Sequence, residues 1–272
     1  MEVTTGAIAA GGGCVARAED GRVVFVRHAL PGERVLARVT GESSSFLRAD
    51  AVEVIEPSPE RVTAPCPHAG PGRCGGCDWQ HVSLPAQRRL KEDLVAEQLW
   101  RLATLERRVP VEEVDGAPDG LAWRSRVKFG VERSGRPGLH RHRSRQLEPV
   151  EACPIAVSGV NEVGVGSVRW RGARHLEVTA STGPGQPVVS VGTWGAGLID
   201  EQAVEAGLVV DGQVRREPGN TVFEVAGHRF EVSAGVFWQV HPGGAAVLTE
   251  AVLDGLAPTL GELVVDLYAG AG

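Results

Sequence analysis

The rhythm of hydrophobic and polar positions changes several times along the chain. Arg22 to Val26 and Arg34 to Val39 are short β-branched runs separated by a Pro31-Gly32 turn, and Ala49 to Ile55 alternates as a third strand. The Pro57-Ser-Pro59 break ends this stretch, so residues 1–57 read as a small all-β module, a compact barrel of the kind that binds oligonucleotides on its open face.

From Pro85 to Arg107 the period becomes helical, with Leu90, Leu94, Val95, Leu99 and Leu102 on one side and Arg88, Arg89, Lys91, Glu92 and Asp93 on a solvated one. Arg124 to Val131 returns to alternation, which places Arg124, Arg126 and Lys128 on one strand face and Val127, Phe129 and Val131 on the other. Gly166 to His228 is glycine-rich with short β runs, including His175 to Ala180 and Pro187 to Val191. Pro242 then opens a helix over Gly243 to Leu256. Leu263 to Leu267 reads as a fully buried strand running into a glycine turn at Gly270 and Gly272. The fold class expected is α+β and multi-domain: the barrel at 1–57, a mixed α/β central domain at 58–230, and the first elements of a Rossmann-like domain at 231–272.

Composition supports real cores, since 272 residues with a hydrophobic fraction of 42% exceed one ordinary domain. No stretch approaches the roughly 20 apolar residues of a membrane helix. The formal net charge of −6 gives no reason to expect a polyanionic partner, but Trp123 to Gln146 carries many arginines, Arg141 among them, against the single acid Glu132. Arginines at strand spacing can track a nucleic-acid backbone through its phosphates.

The densest chemistry lies in Cys66, Cys74 and Cys77, three of five cysteines within one glycine-rich loop of C-x7-C-x2-C spacing. A fourth thiol stands at Cys153, just before a proline. Four converging thiolates suit a [4Fe-4S] cluster or an all-thiolate zinc site; three ligands from one loop and one from far away favour iron-sulfur. The odd cysteine count and the lack of an N-terminal apolar segment argue against disulfides and for the reducing cytoplasm. Cys14 is read as a small buried residue.

Phe25 to Val35 resembles the TRAM domain, an RNA-binding barrel. Asp266-Leu-Tyr-Ala-Gly-Ala-Gly272 after an apolar strand is similar to the first motif of class I S-adenosylmethionine-dependent methyltransferases. Together with the cysteine loop, Cys153-Pro-Ile and Phe237-Trp-Gln239, in that order, the chain resembles the RNA uracil-5 methyltransferases over nearly its whole length.

The resemblance implies that Gln239 and Tyr268 contact S-adenosylmethionine and that Cys66, Cys74, Cys77 and Cys153 hold a [4Fe-4S] cluster; the glycine turn adds Asp266, Gly270 and Gly272 to the cofactor side, and the cationic segment leads us to expect Arg124, Arg126, Lys128 and Arg141 to meet RNA. His241 replaces the family's usual Asn. The family's reaction adds a thiolate to uracil C6, so that C5 attacks the sulfonium methyl and a base then removes the C5 proton. The nucleophilic cysteine and the general-base glutamate are expected beyond Gly272, which makes this sequence an N-terminal portion, inactive alone. The expected partner is tRNA or rRNA, without a membrane or an obligate protein partner. The competing reading is a non-catalytic RNA-binding iron-sulfur protein.

Overall fold

The computed structural model describes residues 1–181, 185–195, 199–218, 221–233 and 235–267. In chain order these form β1 (Glu2–Thr4), β2 (Cys14–Arg17), β3 (Val23–Arg27), β4 (Arg34–Glu42), β5 (Phe46–Glu56), α1 (Leu84–Ala103), β6 (Arg126–Val131), β7 (Pro137–His140) and β8 (Leu147–Glu148). There follow α2 (Ser158–Glu162), β9 (Ala173–Thr179), β10 (Val188–Thr193), β11 (Gly207–Val210), β12 (Gln213–Arg216), β13 (Thr221–Val225), β14 (His228–Val232) and α3 (Gly244–Leu256). They group into two compact units: Met1–Glu113 with His140–Glu148, and Val114–Leu139 with Pro149–Gly272. The barrel's last strand, β5, ends at Glu56.

In the first unit five strands are ordered β1-β4-β5-β3-β2. The chain just past β1 closes the sheet on β2, with Gly6 N donating to Val15 O at 2.6 Å and Val15 N to Ala7 O at 2.9 Å. Alternation puts Val24, Val26, Val35, Leu47 and Ala49 inside, and Cys14 is wholly buried among them with Sγ donating to Ala29 O at 3.3 Å. Burial in this apolar setting, with Glu33 nearby, pushes the Cys14 thiol up to about 12. Helix α1 lays Leu90 and Leu94 against the barrel core, whereas Val95 and Leu102, which share its leucine stripe, are exposed.

In the second unit the main sheet runs β12-β11-β10-β9-β6-β7, antiparallel throughout except for the parallel pair β10–β11. Val127, Phe129, Leu176, Val178, Val189 and Leu208 fill its core. Trp170 is equally buried, and its indole N–H donates to Val165 O at 3.0 Å. Strands β13 and β14 form a separate hairpin.

The buried strand expected at Leu263–Leu267 is absent. Residues 262–266 take no regular structure, and Leu263 and Leu267 are 90% and 75% exposed. An apolar run becomes a buried strand only where other strands pair with it, and no described residue does so here.

Candidate functional site

The first unit holds the cysteine loop in a frame of polar contacts. Its downstream end is fixed to the barrel, where Arg27 donates to Asp78 Oδ1 at 2.7 Å and the Trp79 indole N–H to Gly12 O at 2.8 Å. The Cys66 N–H donates to Gln80 Oε1 at 3.0 Å. On its other side the loop meets the hairpin 140–148. Gly75 N donates to His140 O at 2.9 Å, and Cys74 bridges Arg141.

Glu148 organises that junction. Its carboxylate is nearly buried and takes Arg141 Nη2 at 3.0 Å, His68 Nδ1 at 3.3 Å and Arg73 Nη1 at 4.0 Å. A buried carboxylate is tolerable when cations and hydrogen-bonding groups surround it, and here two of the three partners, His68 and Arg73, come from within the cysteine loop. The Arg141 guanidinium expected to meet RNA is thus held by Glu148.

Cys66, Cys74 and Cys77 are half-buried in this loop. Cys153 is buried in the second unit, where Asn161 clamps its backbone, Oδ1 accepting from Cys153 N at 2.9 Å and Nδ2 donating to Cys153 O at 3.0 Å. Among the described residues no group of three or more His, Cys, Asp or Glu side chains is arranged to hold a metal ion. The [4Fe-4S] assignment therefore rests on cysteine type and spacing, and no chemistry below runs through a cluster.

The expected cofactor residues divide. Tyr268, Gly270 and Gly272 lie outside the described residues, and Asp266 is exposed in the irregular segment. Gln239 sits in a segment that is closely braced. Trp238 stacks on Phe223 with ring centroids 4.8 Å apart and leans on Phe230 at 5.4 Å, which anchors the segment to the β13–β14 hairpin. Ser125 N donates to Val240 O at 2.8 Å. Gly243 packs so closely on Asp115 that a Cβ there would lie 2.5 Å from the Asp115 carbonyl oxygen.

His241, which stands where the resembling family has Asn, stacks on Trp123 with ring centroids 6.0 Å apart, and its Nδ1 accepts from Gly243 N at 3.2 Å. Burial holds the imidazole below its usual range, so the ring is neutral with its proton on Nε2. The side chain acts as a polar wall carrying one N–H donor.

Arg124, Arg126 and Lys128 lie opposite the buried Val127, Phe129 and Val131, as alternation predicts, but Arg124 and Arg126 are half-buried and engaged by neighbouring groups. Only Lys128 is exposed. Arg126 donates through Nη2 to Val236 O at 2.6 Å and lies 3.7 Å from Glu177 Oε1, so its guanidinium braces the Gln239 segment. Arg124 donates Nε to Arg126 O at 3.0 Å and leans over the Trp123 ring. The bracing by Arg126 spans 110 residues of sequence, and alternation alone carries no signal of it.

Comparison with known proteins gives these arrangements a setting. Residues 1–52 match the TRAM domain model. An uncharacterised RNA methyltransferase of Streptomyces coelicolor is 48% identical over the whole chain, and one of Streptomyces avermitilis 46% identical. The chain spans 63% and 67% of their lengths. A 23S rRNA (uracil(1939)-C(5))-methyltransferase of Paracidovorax citrulli is 34% identical over 57% of the chain and 32% of its own length. Among solved structures, the Pyrococcus abyssi tRNA (uracil-54, C5)-methyltransferase in complex with S-adenosyl-L-homocysteine superposes with a TM-score of 0.65, covering 93% of this chain and 65% of that one. At 16% identity this likeness speaks for the fold alone. No helix among the described residues is long and apolar enough to cross a membrane.

Proposed function

Because this chain belongs to the RNA methyltransferase family, we propose that it serves methyl transfer from S-adenosylmethionine to C5 of a uridine in tRNA or rRNA. The observation that carries the reading is the 48% identity along the whole chain to a protein named as an RNA methyltransferase. The uracil and C5 parts draw on the relative and the structural neighbour that bear those names.

In this reading the TRAM-like barrel takes hold of RNA, and the braced segment 236–243 presents Gln239 to the cofactor. Trp238 and Arg126 fix that segment before the cofactor arrives, so little conformational entropy is lost on binding. The neutral His241 offers an N–H donor without placing a second positive charge beside the sulfonium. Asp266, at the end of the apolar run, is a further residue on the cofactor side. The target uridine is reached in a single strand or flipped from its stack.

The test is deletion of the gene in its host, followed by mapping of 5-methyluridine across tRNA and rRNA. Loss of the modification at one position is expected and would name the substrate. An unchanged map, with RNA binding by the purified chain retained, would replace this reading with that of a non-catalytic RNA-binding protein.

The cysteines form the finer part of the proposal. Thiol type and spacing at Cys66, Cys74, Cys77 and Cys153 support iron. Metal analysis of anaerobically purified protein decides between about four irons per chain, as a cubane requires, and none.

A further inference from the structure

We infer that the end of the second unit's sheet bearing Trp194 is a landing surface for single-stranded RNA, with a base stacked on that indole and arginines of the adjoining turns holding the flanking phosphates. The inference rests on the RNA methyltransferase reading and adds to it a contact surface outside the barrel and outside the cofactor segment.

Sheet register brings the surface together. Val131 at the end of β6 pairs with Pro137 at the start of β7, Ala173 at the start of β9 pairs with Thr193 at the end of β10, and Val191 in β10 pairs with Val210 at the end of β11. The turns beyond these residues therefore crowd one end of the sheet. Hydrogen bonds lock them to each other: Trp170 N donates to Gly135 O at 2.8 Å, Trp194 N to Gly172 O at 3.0 Å, and Thr193 N to Asp211 Oδ1 at 2.9 Å. Gly135 has φ +84°, and a Cβ there would meet Arg171 N at 3.0 Å, so the close approach of two turns depends on glycine.

Trp194 is 54% exposed on this frame, whereas Trp170, a short way back in the same unit, is 2% exposed. A ring left half in water, its backbone tied to the neighbouring turn by the Trp194 N–H, has the form of a stacking platform, which binds any base because every base has a π-face. The Arg133 guanidinium lies 4.7 Å from the ring centroid, so a cation is already stationed beside the platform. Arg136 and Arg171 are exposed on the same set of turns, and Arg174 at the adjoining start of β9.

The acids there are Glu132 and Asp211. Asp211 is committed to the backbone N–H and hydroxyl of Thr193, and Glu132 accepts from the Ser134 hydroxyl at 3.1 Å. Four arginines against two acids make this end cationic in a chain whose formal charge is −6, and a local field of that sign selects a polyanion. An acidic or apolar protein partner would leave the arginine-flanked π-face without a stacking occupant.

The experiment uses the 272-residue chain and a fluorescein-labelled single-stranded oligouridylate, read by anisotropy over a range of salt. Trp194→Ala is expected to weaken binding about tenfold, with Trp194→Phe close to wild type. The double change Arg133→Gln with Arg136→Gln is expected to flatten the salt dependence by about 1.4 in slope, roughly 0.7 per phosphate contact. Circular dichroism of each variant controls for folding. Photo-crosslinks from a 4-thiouridine probe should map to the peptide containing Trp194. Wild-type affinity in Trp194→Ala, an unchanged salt slope in the Arg133→Gln, Arg136→Gln variant, or crosslinks confined to the barrel, overturn the inference while RNA binding by the wild type leaves the methyltransferase reading standing. A wild-type chain that binds no RNA overturns both.

Discussion

Glu33 has no solvent exposure, and it is ionised. Burial alone would raise its carboxyl, but Arg61 contacts both oxygens at 2.6 Å, and the N–H groups of Ser58 and Leu30 add 3.0 and 2.8 Å bonds, which hold it below the usual carboxylate range. Glu33→Gln removes the charge and leaves Arg61 facing a neutral amide. A loss of about 3 kcal/mol is expected in urea unfolding, the scale for breaking a buried pair.

Next to this pair, His28 and His81 are buried with ring centroids 6.1 Å apart, and burial lowers both to about 4. The charged surroundings are Arg27, Arg61, Glu33, Asp78 and His142. Both rings are neutral when folded, so on acidification the unfolded chain takes up protons first, near pH 6.5. Stability is therefore full above about pH 6.5, falls as pH drops toward about 4, and levels off once the folded rings also protonate. Glu33, whose folded value is depressed, contributes a further loss in the lower part of that range. Thermal midpoints measured from pH 7.5 to 4 should fall, with a visibly shallower fall in the double variant His28→Gln, His81→Gln.

At the scale of elements, the hairpin 140–148 and the cysteine loop are fitted at Gly75, where a Cβ would lie 2.7 Å from His142 N and Cα. The obstacle is backbone, so Gly75→Ala must push the hairpin away; a cost of about 1–3 kcal/mol is expected. Trp238→Ala should free the Gln239 segment from its hairpin, visible as faster hydrogen exchange over 236–244 with the barrel amides unchanged. Equal protection in that variant would return the anchoring to Arg126 and Ser125 alone.

Elements of this kind were unevenly legible in the sequence. Strands β3, β4 and β5 announce themselves by β-branched alternation, and α3 by its period after Pro242. Strands β1 and β2 are three and four residues long beside glycines, too short for a period to show. Periodicity also finds an apolar run without telling whether anything covers it. For that reason Leu263–Leu267 reads as buried and is exposed, as are Val95 and Leu102 of α1. Residue type and spacing pointed to the cysteines, and the resemblance carried by Phe237-Trp-Gln239 pointed to Gln239. The bracing partners Arg126, Trp123 and Glu148 owe their roles to contacts made at long range in the chain, which no local pattern encodes.

For the molecule as a whole, the first unit is discontinuous, since His140–Glu148 joins Met1–Glu113 after the chain has passed through Val114–Leu139. Glu148 supplies the carboxylate for His68, Arg73 and Arg141, so the order of the cysteine loop depends on residues far downstream. Glu148→Ala would leave those three side chains without their acceptor. Protease cleavage between Cys66 and Cys77 is expected to accelerate severalfold, with cleavage inside the barrel unchanged.

During synthesis this arrangement imposes a schedule. The barrel is contiguous over 1–56 and can close as soon as it clears the ribosome, but the cysteine loop has to wait for a hairpin made about 70 residues later, a delay of several seconds at about 5–20 residues per second. Throughout that interval three thiols belong to a nascent loop whose final frame does not yet exist. Any oxidant or metal carrier that engages them has its best access before residue 148 emerges.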